Sequence, residues 1–201
     1  MAIAYLGPAA DLDHVSSPNR SAGLPAGPRA PLPHRDGPRG QVDLLAIAEG
    51  FAQSAPGIPE LGGLSERTWV LLAVTDLFEA WAIGWPPGGK IELHDHGQSR
   101  GAVVVASGAL TETTVRPTTR GVALTGTHRI SVGEHRNFGP RYVHDLSNDS
   151  EEEALSVHVY GPRLAAMTYY ELDRHGRLGV VRAEQVPPVG PFDTTSDHDP
   201  S

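Results

Sequence analysis

The spacing of hydrophobic positions changes along the chain, from a helical period to short apolar or alternating runs. Between residues 42 and 53 the apolar side chains recur at helical spacing, at Leu44, Ile47, Ala48 and Phe51. From Thr68 onward, Gly and Pro separate short segments of the kind that form strands. The segments are 69–74, 78–85, 91–96, 102–106, 110–115, 128–132, 154–160, 167–172 and 180–183. This pattern predicts an all-β barrel or sandwich with one helix packed on its outside.

The two ends of the chain differ from this central region. Pro, Gly, Ala and Arg crowd residues 8–40 without sustained periodicity, so this stretch cannot bury enough surface to offset its chain entropy. We expect a mobile arm over residues 1–40, more plausibly a tail than a docking segment, and a flexible polar tail over 191–201. The length of 201 residues favours a single domain, placed at 41–190.

Composition and charge narrow the classes of partner. The formal net charge is -8 and the arginines are scattered, which argues against a nucleic-acid surface. Without cysteine the chain can form neither a disulfide nor a thiolate metal site. No apolar run has the length of a membrane span, and the first residues lack the pattern of a secretory signal. We therefore expect a cytoplasmic protein with no membrane partner.

The tripeptide His94-Asp95-His96 lies in one of the predicted strands. Side chains two apart on a strand leave the same face, so the two imidazoles can bind one transition metal as neighbouring ligands. Asp95 then points to the opposite face and suits a surface or supporting role. A bare His-x-His would more often be two histidines on the wet face of an edge strand, so the interpretation depends on what surrounds the pair.

The surroundings favour a metal site. Glycines frame the pair at Gly88, Gly101 and Gly108, in a spacing that resembles the first cupin motif. A second block, from Gly133 through Gly139 and His144 to Asn148, resembles the second cupin motif, although its proline falls one place late. In most cupins the position of Gly101 is a metal-binding glutamate. The resemblance therefore implies a jelly-roll-like cupin barrel whose metal ligands are His94, His96 and His144.

Three neutral imidazoles without a carboxylate leave the metal's positive charge uncompensated and up to three coordination positions open. Such a centre favours an anionic ligand. A thiolate suits it, and ferrous iron can hold thiolate and dioxygen side by side.

A third motif is the alternating strand 154–160, where Ser156, His158 and Tyr160 share one face. From alternation alone, these residues are equally well the polar face of a half-exposed strand. Inside a barrel they would form a buried polar network that must be satisfied internally and could orient a proton. A serine hydrolase is excluded, because one strand offers no separate acid to orient the histidine and no oxyanion elbow.

Together the three motifs, between about Arg67 and Gly176, resemble the cysteine dioxygenases, thiol dioxygenases of the cupin superfamily. The resemblance implies Fe(2+) held by the three histidines and a Ser156, His158, Tyr160 relay. It implies that Arg67 binds the substrate carboxylate and that Tyr160 hydrogen-bonds either this carboxylate or the iron-bound oxygen. Arg100 and Arg163 are the alternatives to Arg67. Animal members have a cysteine crosslinked to the tyrosine, and Gly101 stands at that place here, as in bacterial members.

The expected function is oxidation of L-cysteine to cysteine sulfinate by dioxygen, in a monomer whose partners are a small thiol and O2. Two alternatives remain: a 3-mercaptopropionate dioxygenase, and a non-catalytic cupin that holds another metal, zinc or nickel, and binds a small ligand. Other aromatic and imidazole side chains lack such motifs. We assign Trp81 and Trp85 to the core, with Trp85 also a candidate for lining the pocket. We assign His128 and His135 to the surface, His175 to a hairpin turn, and His14 and His34 to the arm.

Overall fold

The computed structural model describes residues 4–6, 42–118 and 121–188 of the chain. Most of the predicted arm and the whole predicted tail lie outside these residues, and so do His14 and His34. Within the described ranges the chain forms one α-helix, α1 (Leu44–Ala52), and twelve strands. The strands are β1 (Ala4–Leu6), β2 (Thr68–Val74), β3 (Glu79–Trp85), β4 (Lys90–Asp95), β5 (Arg100–Ser107), β6 (Ala109–Thr118), β7 (Gly121–Ser131), β8 (His135–Phe138), β9 (Val143–Ser147), β10 (Ala154–Gly161), β11 (Ala166–Leu172) and β12 (Leu178–Gln185).

These strands form two antiparallel sheets of six strands each. The first sheet has the order β1-β2-β3-β10-β5-β8, and the second has the order β12-β11-β4-β9-β6-β7. Strands that are distant in sequence are neighbours in both sheets, as in the β3-β10 and β4-β9 pairs. The two sheets therefore bring the three sequence motifs, which are widely separated in the chain, to one place.

The helix covers the outer face of the first sheet. Asp43 caps it, accepting a hydrogen bond from the backbone N of Ala46 at 3.1 Å. Leu44 and Ala48 pack in one cluster with the outward residues of β10, which are Leu155, Val157 and Val159. This packing explains why β10 is buried on both faces although its sequence alternates between polar and apolar residues.

The inner faces of the sheets enclose the core and the polar site. One inner cluster contains Trp85, Val105, Leu110, Ile130 and Leu146, so it joins residues of both sheets. A second cluster packs Leu71, Trp81 and Val103 against Phe138 and Tyr160. The predicted positions of both tryptophans in the core are therefore confirmed.

The all-β prediction is confirmed, and each of the nine predicted strands overlaps an observed one. The helix and the hairpin at Asp173–Gly176 are also present, with His175 exposed at the turn. Three strands were not predicted: β8 and β9, whose short sequences mix polar and apolar residues, and β1. That last strand lies inside the predicted arm and pairs with β2. None of the helices in the described part of the chain is long and apolar enough to cross a membrane.

Candidate metal centre

Three buried histidines converge on the inner face of the second sheet. His94 on β4 pairs directly with His144 on β9, and His96 follows at the end of β4. The exposed fraction of each is 3% or less. One ligand nitrogen from each ring lies within 4.8 Å of the other two, a spacing at which the three rings can share an ion. The structure thus brings together the three ligands that the sequence predicted.

The outer nitrogens of two rings are fixed by acceptors. Nδ1 of His94 donates to the backbone oxygen of Glu92 at 2.8 Å, and Nδ1 of His144 lies 2.8 Å from Oε1 of Glu112. Both acceptors leave Nε2 of these rings turned towards the cluster, where Nε2 of His94 lies 3.1 Å from Nε2 of His96. Each of the two rings therefore offers a lone pair to the interior.

Two buried nitrogens of the cluster, Nδ1 of His96 and Nε2 of His144, have no hydrogen-bond partner among the described residues. Burial lowers the pKa of His94 and His96 well below the usual range, and the neighbouring histidines lower it further. Neutral rings are the form that binds metal. A metal site requires converging imidazole nitrogens shielded from water, and Nε2 of His144 has no other partner among the described residues, so these three residues fit a transition metal.

Asp95 has a structural role beside the cluster. It is 5% exposed, so it is not a surface residue. Its Oδ1 accepts from the backbone N of Gly97 at 2.9 Å, and its Oδ2 accepts from the Tyr170 hydroxyl at 2.7 Å. It therefore fixes the turn that follows His96, as expected of a supporting group rather than a ligand.

Phe138 occupies the space beside Gly101. A Cβ built on Gly101 would overlap the Phe138 ring and lie 2.7 Å from the backbone oxygen of Val159. The same ring stacks on His96, with 4.7 Å between ring centroids, and lies 5.9 Å from Tyr160. An aromatic ring therefore fills the space beside Gly101, the position for which the sequence resemblance implies a carboxylate in most cupins and a cysteine in animal cysteine dioxygenases.

The first sheet contributes a chain of hydrogen bonds along β10. The indole Nε1 of Trp85 donates to Oγ of Ser156 at 2.8 Å, which lies 2.8 Å from Nε2 of His158. Nδ1 of His158 lies 3.3 Å from the Tyr160 hydroxyl. The Tyr160 ring is 4.9 Å from the His96 ring, so the chain ends beside the metal cluster.

Trp85 gives this chain a direction. An indole N–H can only donate, so the Ser156 oxygen accepts from Trp85. The Ser156 hydroxyl can in turn donate to Nε2 of His158, which the structure places next to it. Burial lowers the pKa of His158 to about 3, so its ring is neutral, and when Nε2 accepts from Ser156 the ring's one proton lies on Nδ1.

The direction continues to the end of the chain. With that proton on Nδ1, His158 donates to the Tyr160 oxygen, and the phenol proton can then point into the pocket. Burial, and then the charge of Glu79, raise the pKa of Tyr160, so the hydroxyl keeps that proton. The arrangement is a set of donors whose last proton faces the three histidines.

Arg67 lies at the entrance to β2, between two indole rings. Its guanidinium carbon is 5.8 Å from the ring centroid of Trp69 and 5.4 Å from that of Trp85, and Nη1 donates to the Lys90 backbone oxygen at 3.3 Å. Burial lowers its pKa, and its charge in turn lowers the pKa of His94 and His158. The guanidinium is therefore within electrostatic reach of both the metal cluster and the hydrogen-bonded chain.

The other predicted residues lie elsewhere. Arg163 pairs with the buried carboxylate of Glu79, its Nε 3.8 Å from Oε2, and Arg100 donates to the backbone oxygen of Val42 at 3.4 Å. His128 and His135 are exposed, as predicted. These positions make Arg67 the arginine best placed for the pocket.

Sequence reasoning missed three residues of the site. Glu112 contacts His144, Phe138 packs on His96, and Trp85 was assigned only to the core and pocket lining. One signal for Glu112 was present: it falls between Leu110 and Thr114 on the inward face of a predicted strand, where a charge needs a partner. The contacts themselves join residues far apart in the sequence, which no local pattern reveals.

A separate cavity of about 350 Å³ lies away from the histidines. Its walls are the turns at residues 55–62 together with Ser107 and the segment 153–155. These residues include no histidine and no arginine, so the cavity offers none of the chemistry of the metal cluster.

The fold is that of a cupin, and the three-histidine cluster is its candidate metal site. The sequence of residues 63–173, more than half of the chain, matches the profile of the family Cysteine dioxygenase type I. The chain belongs to this family of thiol dioxygenases.

Several solved structures are similar to parts of this chain at low sequence identity. An uncharacterized conserved protein with a double-stranded β-helix domain from Klebsiella pneumoniae is 20% identical over 53% of this chain and 86% of its own, with a TM-score of 0.42. A cupin-superfamily sugar phosphate isomerase from Silicibacter pomeroyi is 21% identical over 58% and 76%, with a TM-score of 0.42. An oxalate oxidase, in complex with the substrate analogue glycolate, is 20% identical with a TM-score of 0.38, and the match spans only 41% of either chain.

Proposed function

We propose that this protein is an iron-dependent thiol dioxygenase that oxidises L-cysteine to cysteine sulfinate. The observation that carries the proposal is the meeting, in one buried pocket, of three converging histidines and a hydrogen-bonded network that ends at Tyr160 beside them. Two of these histidines have a buried nitrogen without a partner among the described residues. Membership of the cysteine dioxygenase type I family supports the reaction class.

Iron would be held by His94, His96 and His144. Ferrous iron bound there would supply open positions for a thiolate and for dioxygen, and it would lower the thiol pKa from its usual value of about 8.5. The overall reaction balances without a further reductant, because both atoms of O2 end on the sulfur and the four electrons that O2 takes up come from it.

Arg67 would bind the substrate carboxylate. Its guanidinium stays charged, and two flanking indoles with one backbone acceptor limit its rotation. A guanidinium held in this way offers two parallel donors to a carboxylate, and burial of the pair strengthens the interaction. Cysteine and 3-mercaptopropionate both carry this carboxylate, so Arg67 selects for acids among small thiols.

Tyr160 would donate its free proton to an oxygen atom of the substrates. Ser156 and His158 hold the phenol in that orientation, and Trp85 sets the direction of the whole chain. Because residue 101 is glycine, the phenol has no crosslink and keeps an unmodified ring. The catalytic residues of the proposal are therefore Tyr160, His158 and Ser156.

Oxygen uptake by protein reconstituted anaerobically with ferrous iron tests this proposal. Cysteine, 3-mercaptopropionate and cysteamine are supplied in turn, and sulfinate is measured alongside oxygen. We expect the highest kcat/KM with cysteine and one sulfinate formed per O2 consumed. Faster turnover of 3-mercaptopropionate would reassign the substrate. Uptake with none of the thiols at full iron occupancy would favour a non-catalytic cupin.

A further inference from the structure

We propose that Glu112 is a positioning residue of the metal site, which fixes the ring of His144 and supplies a negative charge that the three-histidine set lacks. The inference rests on the metal centre of the proposed function but not on the thiol chemistry. It concerns a residue of β6, one strand beyond the two that hold the ligands.

The geometry places Glu112 directly behind His144. Strand β6 pairs with β9 so that Thr114 lies opposite His144, and Glu112, two residues earlier, points to the same inner face. The exposed fraction of Glu112 is 1%. Its Oε1 is 2.8 Å from Nδ1 of His144, well within hydrogen-bond distance.

This contact fixes which nitrogen of His144 faces the cluster. A carboxylate only accepts, so Nδ1 of His144 carries a proton, and it is Nε2 that can offer a lone pair to a metal. Nε2 is also one of the two buried nitrogens without a partner among the described residues. Without Glu112 both tautomers are open to the ring, and one of them turns an N–H towards the other two histidines.

Two further donors hold the carboxylate itself. The Tyr142 hydroxyl donates to Oε1 at 3.3 Å, and Nε of Arg136 donates to Oε2 at 3.2 Å. The carboxylate therefore has donors from three side chains and little freedom to turn away from His144.

The charge of Glu112 matters because the three predicted ligands are all imidazoles and include no carboxylate. In most cupins a glutamate at the place of Gly101 binds the metal, but here Phe138 fills that space. Glu112 instead places a carboxylate near the metal site without coordinating the metal, because it contacts the outer nitrogen of His144. Arg136 offsets part of this charge, but its side chain is 32% exposed and hence better solvated.

Metal binding by Glu112→Gln and Glu112→Ala tests the inference without any thiol. Glutamine can still accept from His144, so Glu112→Gln removes the charge alone, whereas alanine removes both the charge and the hydrogen bond. Glu112→Gln leaves Arg136 without its carboxylate partner, so the double variant Glu112→Gln/Arg136→Met removes that unpaired charge as well. Glu79→Gln is the matched control, since Glu79 is equally buried but bonds Leu164 and pairs with Arg163.

Titration of the metal-free proteins with Co(II), followed by its visible absorption, gives the affinities. We expect about a tenfold loss for Glu112→Gln, in the single and the double variant, and about a hundredfold loss for Glu112→Ala. Glu79→Gln should bind like the wild type. In the iron-loaded proteins the ferric/ferrous midpoint potential should rise in Glu112→Gln, because loss of a negative charge favours the less charged ferrous state.

Thermal unfolding of the metal-free variants identifies any that do not fold. If Glu112→Ala fails to fold, Glu112→Gln, which keeps the side-chain volume, decides the question. Wild-type Co(II) affinity and an unchanged potential in a folded Glu112→Gln would overturn the inference. A protein that binds Co(II) as expected but oxidises no thiol would refute the proposed function and leave the role of Glu112 intact.

Discussion

The second sheet and the first sheet bring different kinds of polar side chain to one pocket. On the second sheet, His94, His96 and His144 converge, and two of their buried nitrogens have no partner among the described residues. On the first sheet, the polar residues of β10 are equally buried, but each is hydrogen-bonded to the next.

The difference separates a site that needs a ligand from one that does not. A buried polar atom without a hydrogen bond costs about 1–3 kcal/mol, so the histidine cluster is poorly satisfied until an ion binds. The chain from Trp85 to Tyr160 is satisfied by the fold alone and offers one proton at its end. We infer that the second sheet binds the metal ion and that the first sheet orients the hydroxyl of Tyr160.

His144→Ala should abolish metal binding by the histidine cluster of the second sheet. With one of three ligands removed, the remaining pair no longer forms a stable chelate, so we expect the protein to lose nearly all of its iron and all of its turnover. Metal analysis after reconstitution measures this. His135→Ala, at an exposed histidine, is the control and should keep about one iron per chain. Full iron occupancy in His144→Ala would mean that the metal lies elsewhere.

Tyr160→Phe should disrupt the hydrogen-bonded network on the first sheet and leave metal binding by the three histidines unchanged. We expect normal iron content and a turnover roughly ten- to a thousandfold lower, the cost of losing one positioned donor. Tyr170→Phe is the control variant, because the Tyr170 hydroxyl donates to Asp95 and is not part of the hydrogen-bonded network from Trp85 to Tyr160. If Tyr160→Phe turns over at the wild-type rate with saturating thiol, the chain on β10 has only a structural role.

Arg67→Ala tests a residue that belongs neither to the histidine cluster of the second sheet nor to the hydrogen-bonded network of the first. The apparent KM for cysteine should rise about thirtyfold, since truncating one partner of a buried ion pair costs at least about 2 kcal/mol. Cysteamine, which has no carboxylate, should be affected much less. Arg174→Ala, in the exposed hairpin, is the control. If the apparent KM rises equally for both thiols, Arg67 does not bind the carboxylate, and Arg100 or Arg163 would be assigned that role.

Trp85→Phe should give the smallest effect on turnover. It keeps the aromatic ring but removes the N–H that orients Ser156, so we expect kcat to fall by up to about tenfold with iron retained. If Trp85 acts through Tyr160, the double variant with Tyr160→Phe should be no slower than Tyr160→Phe alone. Additive losses would show that Trp85 acts by another route, such as its contact with Arg67.

The sequence predicted those parts of the site that lie close together in the chain. The spacing of His94 and His96, and of Ser156 and Tyr160, is local, and strand periodicity places each pair on one face. Glycine spacing added His144 by resemblance. The nine predicted strands followed from the same periodicity, while β9 was missed because its alternation is weak and its burial comes from neighbouring strands.

The remaining contacts depend on how the strands pair. The Trp85–Ser156 bond spans 71 positions, and the contact of His144 with Glu112 spans 32. Phe138 meets Gly101 only because β8 pairs with β5. No local pattern fixes such a register, since it is set by packing across the whole sheet. The mobile arm over residues 1–40 remains a prediction apart from the strand at Ala4–Leu6.

Isotope labelling of the product tests the central claim most directly. Protein reconstituted with ferrous iron is supplied with cysteine under labelled dioxygen, and the sulfinate is analysed by mass spectrometry. The account predicts sulfinate in which both oxygen atoms carry the label, at one product per O2 consumed. Sulfinate with only one labelled oxygen, or no sulfinate from a protein that holds its iron, would contradict it.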